Sequence, residues 1–225
     1  MGRRRVRPAG WRAGFTLIEL LVVVAIVGVL ASLLLPALSR AKASARAIQC
    51  LGHLRQIALG VRMYADDHDE ETPRSQHSAF THGQWVWGRA IAGYLGSSPT
   101  GWTNLLRDIY RCPADRRGMP WSYGMNVYFE LGPDDDYEGK PATWRRVGQV
   151  PHPATTVGMS ENDTGADHVM AHFWVTVADA VEVPALRHVT RSNYTFVDGH
   201  AGALRLAETF DPPKRIDAWN PSTAP

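Results

Sequence analysis

The first part of the chain shows two different apolar patterns in succession. Residues 15–35 form an almost unbroken apolar run, about the 20 residues that an α-helix needs to cross a bilayer. After Pro36 the apolar positions return every three or four residues, which is the period of one helix face. They are Leu51, Leu54, Ala58, Val61 and Ala65. We therefore predict one long helix over residues 15–65, roughly 75 Å in length, with a kink or local opening at Pro36.

From Asp66 onwards the pattern changes to short aromatic or β-branched segments between turn residues, which predicts strands. The segments are QWVWG, DIYRCP, WSYGMNVYF, TTVGMSE, HVMAHFWVTV and NYTFVDGHAGALRL. In the last one, Asp198-Gly199 suits the two central positions of a type I′ hairpin turn and places Tyr194 and Phe196 on one face, which we expect in the core.

These elements predict an α+β fold, in which the long helix packs on a small antiparallel sheet with long loops. Residues 66–225 then form the globular domain, and we expect residues 220–225 (NPSTAP) to be a frayed tail.

Charge is distributed unevenly, although the net charge is only +2. Residues 1–14 form a basic leader that contains five arginines and no acid. They are Arg3, Arg4, Arg5, Arg7 and Arg12. Such a cluster occurs in nucleic-acid-binding segments, but directly before an apolar span it more simply holds that end in the cytoplasm. We expect a single pass through a membrane at residues 15–35, contact with lipid, an exported C-terminal domain, and no nucleic-acid partner.

Glu19 is the one charged residue in the apolar run. A charge at the centre of a membrane helix costs about 2.5–3.5 kcal/mol, so its presence indicates a function. A secretory signal would have a shorter apolar core, followed by a cleavage site such as AKASA at residues 41–45. A plain membrane anchor fits the length of the run but gives Glu19 no partner.

A third interpretation comes from the segment RAGFTLIELL. It resembles the processing site of type IV prepilins and type II secretion pseudopilins. The resemblance implies that prepilin peptidase cuts between Gly14 and Phe15 and methylates the new amine of Phe15, and that Glu19 is the family's glutamate. It also implies a pilin-like fold and three further kinds of partner: copies of the same chain, other pilin-like subunits and an inner-membrane assembly platform.

The chemistry of these residues agrees with that implication. Cleavage exposes an α-amine on Phe15, which is largely cationic at neutral pH because its reference pKa is about 7.7–8.0. In a filament of stacked helices, Glu19 of one subunit can meet this ammonium group of a neighbour. A buried carboxylate without a partner is strongly unfavourable, so the pair would select the correct register between subunits.

A second resemblance lies near the C-terminus, where His188 is followed by nine residues and then Asp198-Gly199. The segment resembles the His-x9-Asp-Gly segment of a large family of prepilin-like proteins. CLGHLRQIALGVRMYADDHDE, YRCPAD and SYGMN also resemble parts of those proteins. The insert at residues 131–146 has no counterpart that we can place.

Several histidines and acids have both a functional and a structural interpretation. His188, Asp198 and His200 have the chemistry of metal ligands or an acid–base pair, but turn formation already accounts for Asp-Gly. His168 and His172 have the i, i+4 spacing of a zinc helix without its adjacent glutamate, and their surroundings favour a strand. We predict no metal at these positions.

The acidic run of Asp134, Asp135 and Asp136 is the calcium candidate, since major pseudopilins have acidic calcium loops, although charge runs are usually solvated. No other cofactor is predicted. The tryptophans are either a surface for glycan or protein, or part of the core. They are Trp85, Trp87, Trp102, Trp121, Trp144 and Trp174.

Cys50 lies on the part of the helix that we expect to be exported, and Cys112 precedes Pro113 in a turn. Disulfides persist in exported compartments, and a bridge across this long loop would stabilise the fold by about 2–4 kcal/mol. The alternative is two unpaired buried thiols.

The leading hypothesis is a structural pilin-like subunit, not an enzyme, that prepilin peptidase processes and that assembles into a type IV pilus or a type II secretion pseudopilus. Two alternatives are a bitopic membrane-anchored exported domain that binds glycan or protein, and an exported hydrolase that uses His188 and Asp198.

Overall fold

A computed structural model describes residues 16–98, 100–131, 144–184 and 187–225. Its main helix, α1, spans Leu17–Asp67 and stays helical on both sides of Pro36. Its end agrees with the predicted boundary near Asp66. The chain divides into two compact units, Met1–Lys42 and Ala43–Pro225, and this boundary lies within α1.

In the first unit, the described residues form the apolar part of α1. Every residue from 16 to 42 is exposed, including a long series of leucines, valines and isoleucines. Among the described residues, α1 is the helix that is long and apolar enough to cross a membrane. A water-soluble helix hides such side chains, so this surface requires lipid or the helices of neighbouring molecules.

The second unit contains the remaining elements. Short helices are α2 (Trp87–Ala90) and α3 (Leu206–Thr209). Strands are β1 (Tyr123–Asn126), β2 (Val157–Glu161), β3 (His168–Val169), β4 (Ser192–Phe196), β5 (Ala201–Leu204), β6 (Phe210–Asp211) and β7 (Ile216–Asp217). Short 3₁₀ helices lie at Ala92–Leu95, Trp102–Arg107, Val127–Phe129, Val147–Gln149, Ala171–Phe173, Val177–Asp179 and Pro212–Lys214.

Among the described residues, five strands form one sheet in the order β3-β1-β2-β4-β5, and β6 pairs with β7 in a separate ribbon. The neighbours in the main sheet are antiparallel except for β1 and β3, which are parallel at the sheet edge. The second half of α1 packs on this sheet. The predicted α+β architecture is therefore confirmed, with one parallel pair added at the edge.

Two buried clusters lie on opposite faces of the sheet. The first contains Leu54 and Ile57 of α1 together with Met159 of β2, and the second contains Val157 of β2 and Tyr194 of β4. Residues two apart on a regular strand share a face, but the pairing of β2 with β4 shifts between Val157 and Met159. This β-bulge allows one strand to contribute side chains to both cores.

Some of the predicted strands are wrong. QWVWG contains the start of α2, DIYRCP has no strand, and HVMAHFWVTV is a strand only at His168–Val169. Trp87 of the first segment and Tyr110 of the second are buried without being in a strand, whereas Trp85 is exposed. The Trp87 ring lies 4.9 Å from that of Tyr110 and 4.8 Å from that of Trp121. Buried aromatic residues give these segments the sequence pattern of a strand, but here the rings are buried without the hydrogen bonds of a β-sheet.

The expectation of a frayed C-terminal tail is also wrong. Ala224 is buried, its amide donates to the Asn220 carbonyl at 2.9 Å, and the Thr155 hydroxyl donates to the Pro225 carbonyl. The adjoining Trp219 is fully buried in the second cluster. Local turn bonds and this anchor hold the last residues against the domain, although their composition alone is typical of a loop.

Gly88 provides a test of the packing around Trp121. A Cβ atom at Gly88 would lie 2.5 Å from Cη2 of Trp121 and 3.1 Å from Cε2 of Tyr110. We expect Gly88→Ala to lower the free energy of unfolding by about 1–3 kcal/mol because the rings must shift. Urea unfolding of the full chain in detergent micelles, followed by tryptophan fluorescence, measures this change.

Gly93→Ala is the matched control, because a Cβ atom there has nothing within 4 Å. We expect it to change the free energy of unfolding by less than about 0.5 kcal/mol. Equal effects of the two substitutions would contradict the packing described for Gly88.

Candidate functional site

The N-terminus of α1 is closed by a reciprocal set of hydrogen bonds between Thr16 and Glu19. The Thr16 backbone N–H and hydroxyl donate to Oε2 of Glu19 at 2.8 Å and 2.7 Å, and the Glu19 backbone N–H donates to the Thr16 hydroxyl at 3.3 Å. This is a capping box, which satisfies amide groups that a helix leaves unpaired at its start. Glu19 therefore has a partner within its own chain, which the sequence analysis missed although Thr-x-x-Glu is the signature of the motif.

The two processing residues, Gly14 and Phe15, lie outside the described residues, and so do the calcium candidates Asp134, Asp135 and Asp136. Most of residues 131–146 also fall there. Calcium binding by the acidic run stays a prediction.

Cys50 of α1 and Cys112 form a disulfide with a Cα–Cα distance of 5.0 Å. Both cysteines are fully buried, and 62 positions separate them in the sequence. The bond links the second half of α1 to the loop before β1. A crosslink that closes a loop of this length restricts the unfolded chain and typically stabilises a protein by about 2–4 kcal/mol.

His188 lies beside this disulfide and contacts a buried acid. Its Nε2 atom is 2.7 Å from Oε1 of Glu161, at the end of β2, and 3.6 Å from Sγ of Cys112. The other carboxylate oxygen of Glu161, Oε2, accepts the backbone N–H of Asn193 at 2.9 Å. We call Cys50, Cys112, Glu161 and His188 the buried joint, because they connect α1, the loop before Pro113, β2 and the turn before β4.

Glu161 is the member of the buried joint that the sequence analysis missed. It is fully buried, and the signal for it was weak: one acidic residue at the end of the apolar segment TTVGMSE. A charged residue with no exposure requires a partner, and here a histidine and a backbone amide provide it.

His188 and Asp198 do not form the acid–base pair that their motif offers. They lie at opposite ends of β4, whose five residues alone extend about 16 Å. The partner of Asp198 is His200, whose Nδ1 lies 2.6 Å from Oδ1 of Asp198 on the exposed surface. The extended strand between the two motif residues is the physical reason for their separation.

The Asp198-Gly199 turn differs from the predicted type I′ turn. A type I′ turn needs positive φ at both central residues, whereas here Gly199 has a φ of 94° and Asp198 is not among the residues with positive φ. The Gly199 N–H donates to the Phe196 carbonyl at 2.9 Å. This is the pattern of a type I turn followed by a left-handed glycine, the next most common way to close a hairpin.

The other histidine and tryptophan candidates are mainly structural. Nδ1 of His168 lies 3.0 Å from Oδ1 of Asp167, and His172 sits in the 3₁₀ helix Ala171–Phe173 rather than on the same strand. Of the six tryptophans considered, only Trp85 is exposed. Its ring lies 4.2 Å from the guanidinium carbon of Arg89.

A charged cluster adjoins the buried joint. Oδ2 of Asp115 lies 2.5 Å from Nη2 of Arg117, 2.7 Å from the Ser122 hydroxyl and 3.5 Å from Nη2 of Arg187. Burial alone would raise the pKa of Asp115. The hydrogen bonds from Arg117 and Ser122 and the charge of Arg187 outweigh burial and lower that pKa to about 2.

The comparison with protein families agrees with the geometry at the start of α1. The model of the prokaryotic N-terminal methylation motif matches residues 12–35. The chain is therefore type IV prepilin-like in this segment, which confirms the first resemblance. The motif indicates a prepilin peptidase substrate, and together with the exposed apolar helix it indicates a membrane-anchored, pilin-like protein.

No curated protein and no solved structure matches the chain. The resemblance of His188, Asp198 and Gly199 to the His-x9-Asp-Gly segment stays a prediction.

The depressed pKa of Asp115 predicts a pH dependence of stability. Its carboxylate stabilises the fold above the unfolded-state pKa of about 3.9, and this contribution is lost as the pH falls towards about 2. We expect Asp115→Asn to lower the free energy of unfolding by about 2 kcal/mol at pH 7, and the difference from wild type to disappear near pH 2. Urea unfolding at pH 7, 4 and 2.5 measures it.

Asp66→Asn is the control, because Asp66 forms an exposed i, i+4 ion pair with Arg62 at 3.1 Å. Such pairs contribute only about 0.3–0.5 kcal/mol. If Asp115→Asn lowers the free energy of unfolding by the same amount at every pH, the negative charge of Asp115 is not the source of the stabilisation.

Proposed function

We propose that the chain is a pilin-like structural subunit that assembles into a type IV pilus or a type II secretion pseudopilus. Prepilin peptidase cleaves it between Gly14 and Phe15 and methylates Phe15. The observation that carries the proposal is the methylation motif at residues 12–35, which includes the start of α1, where the apolar side chains are exposed.

The distribution of charge and the cysteine chemistry support the proposed location. The arginines of residues 1–14 keep the N-terminus in the cytoplasm, residues 15–35 cross the inner membrane, and the domain after them is exported. The buried disulfide supports export, since disulfides persist in oxidising compartments and are rare in the cytosol.

Glu19 has two successive roles in this proposal. In the single subunit it caps α1 through Oε2. A carboxylate has two oxygens and about four lone-pair positions, so acceptor capacity remains for the methylated ammonium group of Phe15 in a neighbouring subunit. The specific partners are other copies of the chain or further pilin-like subunits, held at an inner-membrane assembly platform.

The N-terminus of the mature protein tests the processing step. Expression together with a prepilin peptidase, followed by N-terminal mass spectrometry, should give a chain that begins at Phe15 with one methyl group on its amine. An intact leader under these conditions, or a new start near Ser44, would contradict the proposal.

Glu19→Gln separates the two roles of Glu19. Glutamine retains an acceptor oxygen for the capping box but has no charge. We expect membrane insertion to be unchanged or easier, because the cost of the charge disappears, and the yield of sheared filaments to fall at least tenfold. Loss of one partner of a buried ion pair costs about 3–5 kcal/mol, which is ample for that decrease.

Thr16→Val is the matched control, because it removes the capping hydroxyl and retains the charge of Glu19. It should give more filaments than Glu19→Gln. Equal filament yields from wild type and Glu19→Gln, with leader cleavage confirmed in both, would remove the register role proposed for Glu19.

A further inference from the structure

The buried joint brings four metal-ligating side chains together. One potential ligand atom from each of Cys50, Cys112, Glu161 and His188 lies within 4.8 Å of all the others. Both cysteines and Glu161 are fully buried, and the side chain of His188 is 5% exposed. Two sulfurs, one imidazole nitrogen and one carboxylate oxygen make a donor set that suits zinc, which prefers four such ligands in a closed tetrahedral site.

The distance between Cys112 and His188 already matches one edge of a zinc tetrahedron. Zn–S bonds of about 2.3 Å and Zn–N bonds of about 2.0–2.1 Å give a sulfur–nitrogen edge of about 3.5 Å. Sγ of Cys112 already lies 3.6 Å from Nε2 of His188. The two sulfurs would have to separate to about 3.8 Å, and His188 Nε2 and Glu161 Oε1 would have to move apart from 2.7 Å to about 3.4 Å.

We propose that the buried joint binds one Zn²⁺ when the Cys50–Cys112 disulfide is reduced. With a phosphine as reductant, the S–S bond takes up two electrons and two protons, giving two thiols and the phosphine oxide, whose oxygen comes from water. Zinc then binds both thiolates, and the two thiol protons go to solvent. The proton between His188 Nε2 and Glu161 Oε1 moves to Nδ1 or also leaves, so that Nε2 is free to bind the metal.

The surroundings hold the ligands in place for this role. The Asn193 backbone N–H binds Oε2 of Glu161, which leaves Oε1 directed at His188. Such outer contacts orient metal ligands and are worth about 10–100-fold in affinity at known sites. The disulfide and the metal are mutually exclusive, and either one joins α1 to the loop before Pro113. This inference does not depend on filament assembly.

Cobalt and zinc titrations of the full chain in detergent micelles test the inference. Co²⁺ reports tetrahedral thiolate coordination by its visible and near-ultraviolet absorption. We expect the phosphine-reduced chain to bind one Co²⁺ with these bands, and one Zn²⁺ to displace it. The oxidised chain should bind neither ion at this site. A reduced wild-type chain without the cobalt bands would overturn the proposal.

Variants assign the ligands. Cys50→Ser combined with Cys112→Ser should abolish the bands, and His188→Ala should weaken zinc binding at least about 100-fold, since even an outer-shell partner is worth about 10–100-fold. His200→Ala is the control, because His200 is an exposed histidine that pairs with Asp198. An affinity of the folded His188→Ala variant equal to that of His200→Ala would overturn the four-ligand site.

A measurement on the wild-type chain covers the case in which His188→Ala does not fold. Zinc should raise the thermal unfolding midpoint of the reduced chain and leave that of the oxidised chain unchanged, because a ligand stabilises the state that binds it. An equal shift in both states, or no shift in the reduced state, would contradict a site that needs the open disulfide.

Discussion

The disulfide between Cys50 and Cys112 ties the second half of α1 to the loop that leads into β1, and the histidine and glutamate beside it extend the connection to β2 and β4. The first core depends on this attachment, because Leu54 and Ile57 of α1 pack there against side chains from the domain. An amphipathic helix obtains most of its stability from such packing rather than from its own propensity. The covalent link therefore reinforces an attachment that otherwise consists of one apolar face and a few hydrogen bonds, such as the 3.0 Å contact between His53 Nδ1 and the Arg111 carbonyl.

The long helix was predictable because the signals for an α-helix, its apolar repeat and the residues that end it, lie close together in the sequence. The repeat from Leu51 to Ala65 and the acids and Pro73 after it define the amphipathic half and its end, and the structure places that end at Asp67. The segments around β2 and β4 were also predictable from alternation and turn residues. QWVWG and DIYRCP were not, since short aromatic segments have the same composition in a strand and in a buried irregular loop. Only the ring contacts among Trp87, Tyr110 and Trp121 distinguish the two cases.

The buried joint was predictable only in part, because residue type and local pattern identify some of its members and not others. Both cysteines and His188 were recognisable as candidates from residue type and position. Glu161 was not, because a single acid at the end of a strand is usually solvated, and its burial depends on which elements the fold places next to it. The alternative hypothesis, in which His188 and Asp198 act together as an acid–base pair, relied on their nearness in sequence. A fully extended β4 between them prevents that contact.

The capping box at the start of α1 has a consequence for the energetics of association. Its three hydrogen bonds fix the side-chain rotamer of Glu19 relative to Thr16 before any neighbouring molecule is present. Immobilising a flexible side chain at an interface costs conformational entropy, and the capping box already restricts the Glu19 side chain in the single subunit. Thr16 thus preorganises the carboxylate, so that an incoming ammonium group meets an acceptor whose position is set in advance.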